Sequence, residues 1–274
     1  MALTVSNTSQ TLDLLKNLNS ATSNLNRVND ALASGKRINR ASDDPAGNAI
    51  ATQLFAQSSV DVVAARNISD GVSIANIAEG ALSSASDITV RLNELATQAS
   101  NGTLSDTQRT ALNQEFSALR SQLDTISNTT EFNGQQLLSG NGTSIALQVG
   151  GDASSNSQIN LQTTGVSSQS LGLASLDIST QAGAQAALDS TKNAVSALSQ
   201  TRGDLGAVVS RLDTAFDQIQ TDRLGRSEAA SRISDADIAS EASKSTAYKI
   251  SQQVATSLLA QANSASAAVL KLIS

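Results

Sequence analysis

The sequence contains no cysteine, no histidine and no tryptophan, and its 274 residues include a single proline. Without Cys and His, a Cys/His zinc site, a thiol nucleophile and an imidazole base are all excluded. Without Cys, a disulfide is excluded too. Because these are side chains on which many enzymes depend, we expect no enzymatic activity and no cofactor.

Aromatic residues are also scarce, with four Phe and one Tyr, so the apolar content comes mostly from Ala, Leu, Ile and Val. Such small side chains suit helices that approach one another closely. The net charge is −6, from 24 acidic and 18 basic residues. The sequence therefore lacks the clustered positive charge that nucleic-acid binding requires. The one short basic cluster, Lys36, Arg37 and Arg40, is typical of a solvated loop. No apolar run of about 18 residues occurs, so we expect no membrane partner.

The pattern divides the chain into a helical part (about residues 3–128), a loop and strand part (about 129–180) and a second helical part (about 182–273). The first helix is predicted from apolar residues spaced three or four apart. We expect Gly35 to end it, and Asp44 to cap the next helix, with Pro45 in the first helical position. The apolar stripe consists of Leu14, Leu18, Ala21, Leu25, Val28 and Leu32.

The second helix is predicted over about residues 45–99. After a turn, Ser105 and Gln108 form a capping box for a third helix that stops before Asn133-Gly134. Alternating apolar residues then predict two short strands, and because two strands alone are marginally stable in water, we expect them to lie on the helices. Their apolar members are Ile145, Leu147 and Val149 in one strand and Ile159 and Leu161 in the other.

The C-terminal third has the most regular stripe, and a single helix over residues 184–232 would be roughly 70 Å long. We therefore expect a mainly α, elongated rod. The stripe indicates a coiled-coil partner, which could be the chain's own N-terminal helices or another copy. Its members are Leu188, Thr191, Val195, Leu198, Arg202, Leu205, Val209, Leu212, Phe216 and Ile219.

Both chain ends are apolar at helical spacing but poor in charge. Residues 250–274 hold one charge, Lys271, and residues 1–26 hold two, Asp13 and Lys16. Burial of the ends between copies in an assembly would explain this pattern. The ends could also pair with each other within one soluble bundle, and the pattern alone leaves both arrangements open.

Several long motifs together resemble those of bacterial flagellins. Residues 18–54, which include Ala-Ser-Asp-Asp-Pro-Ala-Gly-Asn-Ala, resemble the N-terminal signature of that family. Residues 93–104 (Asn-Glu-Leu-Ala-Thr-Gln-Ala-Ser-Asn-Gly-Thr-Leu) and 131–138 are similar to its following motifs. Residues 230–241 (Ala-Ser-Arg-Ile-Ser-Asp-Ala-Asp-Ile-Ala-Ser-Glu), 258–263 and 269–272 resemble its C-terminal signature.

This resemblance implies a structural subunit that polymerises into the flagellar filament for swimming motility. It implies an inner-core domain (1–44 and 233–274) of terminal coiled-coil helices, a helical rod domain (45–128 and 182–232) and a short β/loop region (129–181) in place of large outer domains. It also implies export through the flagellar type III apparatus without a cleaved signal peptide, to an extracellular flagellum. The implied partners are further copies of the chain, an export chaperone, and hook-associated and cap proteins.

The resemblance also assigns residues. The inter-helix loop would use Arg37, Ile38, Asn39, Asp43 and Asp44; the two carboxylates could instead serve acid–base or metal chemistry, but helix capping is the simpler interpretation. The innate immune receptor TLR5 would face Arg91, Leu95 and Gln122, or these are ordinary helix residues with no receptor. Polymerisation or core packing would use Leu14, Leu18, Leu25, Val28, Leu32, Leu258, Leu259, Val269 and Leu270.

Three other functions compete with the filament subunit. A hook–filament junction protein would share the terminal helices. A secreted adhesin would need an exposed aromatic or charged site in the middle region, where the sequence shows none. A flagellin with an inserted metalloprotease would need His-Glu-x-x-His, which a chain without His cannot contain.

Overall fold

The computed structural model describes the backbone of residues 3–273 and the side chains of residues 9–265. In that part of the chain the fold is mainly α, as predicted, with five α-helices and four short strands. The helices are α1 (Leu3–Ser34), α2 (Pro45–Ala99), α3 (Asp106–Thr129), α4 (Gln181–Ser234) and α5 (Ile238–Ile273). The strands are β1 (Glu131–Phe132), β2 (Gln135–Gln136), β3 (Ser144–Gln148) and β4 (Gln158–Gln162).

The chain forms two compact units. The terminal unit comprises residues 1–56 and 225–274, so it contains α1, α5, the start of α2 and the end of α4. The central unit comprises residues 57–224 and contains the remainder of α2 and α4, all of α3 and the strands.

The helices begin and end at the residues that local chemistry favours. Gly35 follows α1 with φ 70°, a left-handed conformation that suits a residue without Cβ. The Asp44 carboxylate accepts a hydrogen bond of 2.9 Å from the amide of Gly47, and Pro45 opens α2. Ser105 and Gln108 cap α3 reciprocally. These predicted caps are confirmed.

In the central unit, the stripe of α4 packs against the chain's own α2. Thr191, a polar member of the stripe, accepts a 2.8 Å hydrogen bond from the side chain of Asn93 on α2. Arg202, the other polar member, binds Glu79 of α2 with an N–O distance of 2.7 Å. Alternate stripe members, Leu198, Leu205 and Leu212, are essentially fully buried. The structure thus identifies the partner that the pattern had left open for this part of the chain.

Two antiparallel hairpins occur between α3 and α4. The predicted pair is confirmed as β3 and β4, with Leu147 opposite Ile159 and Val149 just beyond β3. The β1–β2 hairpin was not predicted; its two-residue turn is Asn133-Gly134, both with positive φ. Such an Asn-Gly pair is a strong hairpin signal, which we had used only to end the preceding helix.

The segment that returns from β4 to α4 is bound to α3 by polar side chains. Asp124 accepts a 2.7 Å hydrogen bond from the amide of Ser168, and Asn113 accepts one of 3.0 Å from the amide of Ile178. Between them, Arg120 donates to the carbonyl of Ala174 at 2.7 Å. A segment without regular structure thereby has its backbone groups paired. Across the described residues, no helix is both long enough and apolar enough to pass through a membrane.

Candidate assembly surface on the terminal helices

The two ends of the chain meet as an antiparallel pair of helices in the terminal unit. Gln252 of α5 donates a 3.0 Å hydrogen bond to the Thr22 hydroxyl of α1, and Ser245 donates one of 3.3 Å to the Asn29 side chain. Seven residues separate the two partners on each helix, which is two helical turns, as expected for antiparallel helices with one constant register. The side of α1 that is buried in the pair carries Ala21, Leu25, Val28 and Ala31.

Helix α5 carries two different stripes. The inner stripe, which is buried or half-buried, mixes polar and apolar side chains: Ser245, Tyr248, Gln252, Ala255 and Leu259. The outer stripe has apolar side chains four residues apart, with exposed fractions of 55% for Ile250, 51% for Val254 and 44% for Leu258. The more apolar stripe of α5 is therefore the one that its own chain leaves uncovered.

Helix α1 also exposes leucines near its N-terminal end, with exposed fractions of 62% for Leu12 and 43% for Leu15. Extending the register of the hydrogen-bonded pairs places Leu15 at the level of Leu258 and Leu259 on α5. Both helices thus expose large aliphatic side chains at the same end of the pair, a feature of surfaces that bind other proteins.

The residues predicted for polymerisation or core packing lie in different environments. Leu25 and Val28 are buried, and Leu258 is exposed on the outer stripe. Val269 and Leu270 lie outside the residues whose side chains the structure describes. The half-buried members are Leu14, Leu18, Leu32 and Leu259.

The connections α1–α2 and α4–α5 are joined at a crossover near Gly35. The amide of Arg37 donates to the carbonyl of Ser234 at 2.7 Å, and the amide of Ala236 donates to the carbonyl of Gly35 at 2.9 Å. The Arg37 guanidinium donates to the carbonyl of Ile233 at 2.8 Å. A cation beside the last carbonyls of α4 is also favoured by the helix dipole.

Within this crossover, carboxylates bind backbone amides. Asp43 accepts hydrogen bonds from the amides of Asn39 (3.2 Å) and Arg40 (2.9 Å). Asp44 caps α2 and lies 3.5 Å from the Arg37 guanidinium. The predicted loop residue Ile38 is 7% exposed. Its side chain packs against Gly47, and a Cβ at position 47 would lie 3.0 Å from the Ile38 Cδ1 atom. In the described part of the chain, no three Asp, Glu, His or Cys side chains group as metal ligands would.

The three residues assigned to a receptor face do not share one environment. The Arg91 guanidinium binds Glu94 and Glu115, both at 2.9 Å, and these hydrogen bonds raise the pKa of Arg91. Gln122 is exposed on α3, whereas Leu95 is fully buried in the core of the central unit. In this conformation, only Arg91 and Gln122 are accessible to a partner.

The sequence analysis did not select several of the exposed aliphatic residues of the terminal helices. It selected Leu258 but not Ile250 and Val254, although the three are four residues apart and so lie on one face of a helix. It also omitted Leu12 and Leu15, because the heptad stripe of α1 passes through their neighbour Leu14. Periodicity was used to find one stripe on α1, whereas the residues chosen on α5 came from the family resemblance.

These observations define a mainly helical structural protein whose two chain ends are joined in one unit. Two family models match the chain: the bacterial flagellin N-terminal helical region over residues 5–143 and the bacterial flagellin C-terminal helical region over residues 188–273. The chain belongs to the bacterial flagellin family, as the resemblance of its motifs predicted.

Two flagellins match this chain over nearly their full length. The chain is 38% identical to a flagellin of Halalkalibacterium halodurans, over 91% of this chain and 93% of the relative. It is 33% identical to a flagellin of Bacillus subtilis, over 96% of this chain and 97% of the relative. The solved structure of a flagellar hook-associated protein of Vibrio parahaemolyticus matches with a TM-score of 0.57 at 15% identity, covering 70% of this chain and 100% of that one, which shows a shared fold alone.

The chain is therefore a structural subunit of the bacterial flagellar filament. Its near full-length match to flagellins favours this role over that of a junction protein or an adhesin. The family is one of structural proteins, and its members form the extracellular part of a motility organelle.

Proposed function

We propose that the chain polymerises by burying the outer stripe of α5, together with Leu12 and Leu15 of α1, against further copies. The observation that carries this proposal is the exposed fraction of Ile250, Val254 and Leu258, each near one half. Full burial of such a side chain contributes about 1.5–3 kcal/mol, so covering the exposed half contributes about 1 kcal/mol for each residue and copy. Repeated along a filament, these contributions favour assembly over a monomer.

The charge pattern of the terminal helices supports the same proposal. Residues 250–274 carry one charge, so α5 presents few ionic groups whose desolvation would oppose packing. The central unit, in contrast, already buries its main apolar stripe between α2 and α4. Covering the outer stripe of α5 therefore removes apolar surface from water with little loss of ion hydration.

The test compares two triple variants of the full chain under polymerising conditions. Replacing Ile250, Val254 and Leu258 with serine should abolish pelletable filaments, because the stripe loses its apolar surface. The control Ile250→Val, Val254→Ile, Leu258→Ile keeps the stripe apolar and should still polymerise. Equal filament yields from the serine and control variants, by sedimentation and electron microscopy, would contradict the proposal.

A second test removes residues 1–30. Because this deletes most of α1 and leaves residues 57–224 intact, the truncated chain should remain soluble and helical but unable to form filaments. Filaments in the pellet of the truncated chain would show that α1 is not needed for assembly.

We further propose the three-part organisation implied by the resemblance, with residues 1–44 and 233–274 as the inner core, 45–128 and 182–232 as the rod, and 129–181 as the short β/loop region. Type III export without a cleaved signal peptide, delivery by an export chaperone, and contacts with hook-associated and cap proteins belong to the same proposal. Recognition by TLR5 would have to use Arg91 and Gln122. A reporter-cell assay with Arg91→Ala and Gln122→Ala tests it, and full potency of both variants would contradict it.

A further inference from the structure

The orientation of α5 in the terminal unit is not the one that apolar burial alone would select. The inner stripe presents Ser245, Tyr248 and Gln252 to α1, while the outer stripe of three aliphatic residues points away. The facing side of α1 is apolar, with Leu25 and Val28 both buried. A turn of α5 about its own axis would place the outer stripe on that surface and bury more apolar area.

Polar pairing opposes this rotation. Two side-chain hydrogen bonds between the helices, Gln252 to Thr22 and Ser245 to Asn29, form in the observed orientation. If α5 rotated, these groups would leave their partners, and the half-buried Thr22 hydroxyl of α1 would be covered by the aliphatic outer stripe without an acceptor or donor opposite it. Losing one partner of a buried polar group destabilises more than a typical hydrogen bond stabilises.

The spacing of the polar groups also specifies the register. The heptad stripe of α1 has leucine at positions 18, 25 and 32, so a slip by seven residues would replace leucine with leucine. The same slip could pair Thr22 with Ser245, but it would place Asn29 at the level of Ile238 and Gln252 at the level of Leu15. Two polar pairs therefore distinguish the native register where the apolar stripe does not.

We infer that Thr22 and Asn29 are positioning residues, which hold the inner stripe of α5 against α1 so that the outer stripe stays available to a second copy of the chain. This inference rests on the proposed function, because it concerns the same surface. The partner is a further copy, and the role of the polar pairs is to prevent the chain from covering its own assembly surface. A single buried polar pair can set helix orientation in this way at some expense of stability.

The test replaces the α1 members of both pairs in the full chain. Thr22→Val with Asn29→Leu removes the polar partners and makes the surface of α1 more apolar. The matched control, Thr22→Ser with Asn29→Asp, keeps a hydroxyl and an acceptor oxygen at the two positions. Both variants retain every residue of the outer stripe. A difference in filament yield between them therefore reports whether the outer stripe is free to bind a second copy.

Because the chain has no Cys, orientation can be read from engineered cysteine pairs. Leu18→Cys with Ala255→Cys joins the inner stripe to α1, whereas Leu18→Cys with Val254→Cys joins the outer stripe to it. We expect the otherwise unchanged chain and the Ser/Asp control to cross-link through position 255 and to polymerise. We expect the Val/Leu variant to cross-link through position 254 and to give at least tenfold fewer filaments, while circular dichroism shows the same total helix content as the unsubstituted chain.

Two results would overturn the inference: a Val/Leu variant that polymerises normally and cross-links through position 255, or one that loses helicity and cross-links at neither position. In the first case the polar pairs do not orient α5, and in the second they contribute only to stability. Absence of filaments from the unsubstituted chain would instead refute the proposed function, and the contrast between positions 254 and 255 would still decide the orientation.

Discussion

Leu147 of β3 packs into the space that Gly71 leaves on α2, because glycine has no side chain at that point. A Cβ at position 71 would collide with a methyl group of Leu147. One turn earlier on the same face, the Asn67 side chain donates a 3.0 Å hydrogen bond to the carbonyl of Gln148. The β3–β4 hairpin is thus held on α2 by one close apolar contact and one polar contact.

We predict that Gly71→Ala destabilises the central unit by up to about 2 kcal/mol, because forcing an extra carbon into a packed site costs about 1–3 kcal/mol and the higher helix propensity of Ala offsets about 1 kcal/mol of that. The control is Gly80→Ala on the same helix, where an added Cβ meets nothing within 4 Å. That change should stabilise the helix by up to about 1 kcal/mol through helix propensity. Urea unfolding measures both, and the same sign of effect for the two variants would contradict the packing explanation.

Arg109 is predicted to be essential for the connection between α2 and α3. Its side chain is 7% exposed, and its guanidinium donates to the carbonyls of Ala99 (2.9 Å) and Asn101 (3.0 Å) beyond the end of α2. Arg109→Met should cost about 2–3 kcal/mol, because the buried carbonyl of Ala99 loses a charged donor. Arg91→Met, at a side chain 48% exposed, should have a much smaller effect in the same unfolding experiment, because solvent screens exposed ion pairs. Equal losses would show that burial of Arg109 is unimportant.

The turn between β3 and β4 should depend on pH through Asp152. Hydrogen bonds from Ser157, and then from Ser154, lower the pKa of the Asp152 carboxyl below its usual range. A carboxyl with a lowered folded-state pKa stabilises above the unfolded pKa, near 3.9, and this contribution is lost as pH falls through the folded pKa. We expect the turn to be ordered at neutral pH and to loosen below about pH 4.

Carboxyl NMR titration of Asp152 checks this prediction. Ser157→Ala removes the first donor, so the titration of Asp152 should move to higher pH, while Asp152→Asn should abolish the acid transition of the turn. A midpoint that Ser157→Ala leaves unchanged would exclude this hydrogen bond as the cause.

The crossover carboxylates should stabilise filaments. Asp43→Ala with Asp44→Ala removes the cap of α2 and the acceptor for two loop amides, and loss of a helix cap alone costs about 1 kcal/mol. We expect a lower melting temperature for filaments by scanning calorimetry. Asp70→Ala, at an exposed position of α2, is the control and should leave the melting temperature unchanged. If filaments of the double variant melted at the same temperature as wild-type filaments, this would count against a role for the loop.

Sequence reasoning succeeded where interactions are local. The caps at Asp44 and Ser105 and the stop at Gly35 each depend on residues within one helical turn, so the residue types alone indicated them. The β1–β2 hairpin was missed although its Asn133-Gly134 turn is also local, which was an error of interpretation rather than a lack of information.

Sequence reasoning was less informative where the partner lies far along the chain. Leu95 belongs to a family motif and was assigned to a receptor face, but in the fold it is fully buried. Arg120 and Asp124 gave no signal, since the backbone groups that they bind lie 44–56 residues away.

By itself the sequence determined the approximate limits of α1 to α4, the caps at Asp44 and Ser105, the central strands and the membership of the flagellin family, because helical period, turn residues and motifs are all properties of neighbouring residues. Only the tertiary structure decided that α4 pairs with α2 and that α5 turns its polar inner stripe toward α1. Periodicity shows that a helix has an apolar face, but the choice between two faces depends on partners such as Thr22 for Gln252, which lie 230 residues apart. That choice leaves Ile250, Val254 and Leu258 exposed.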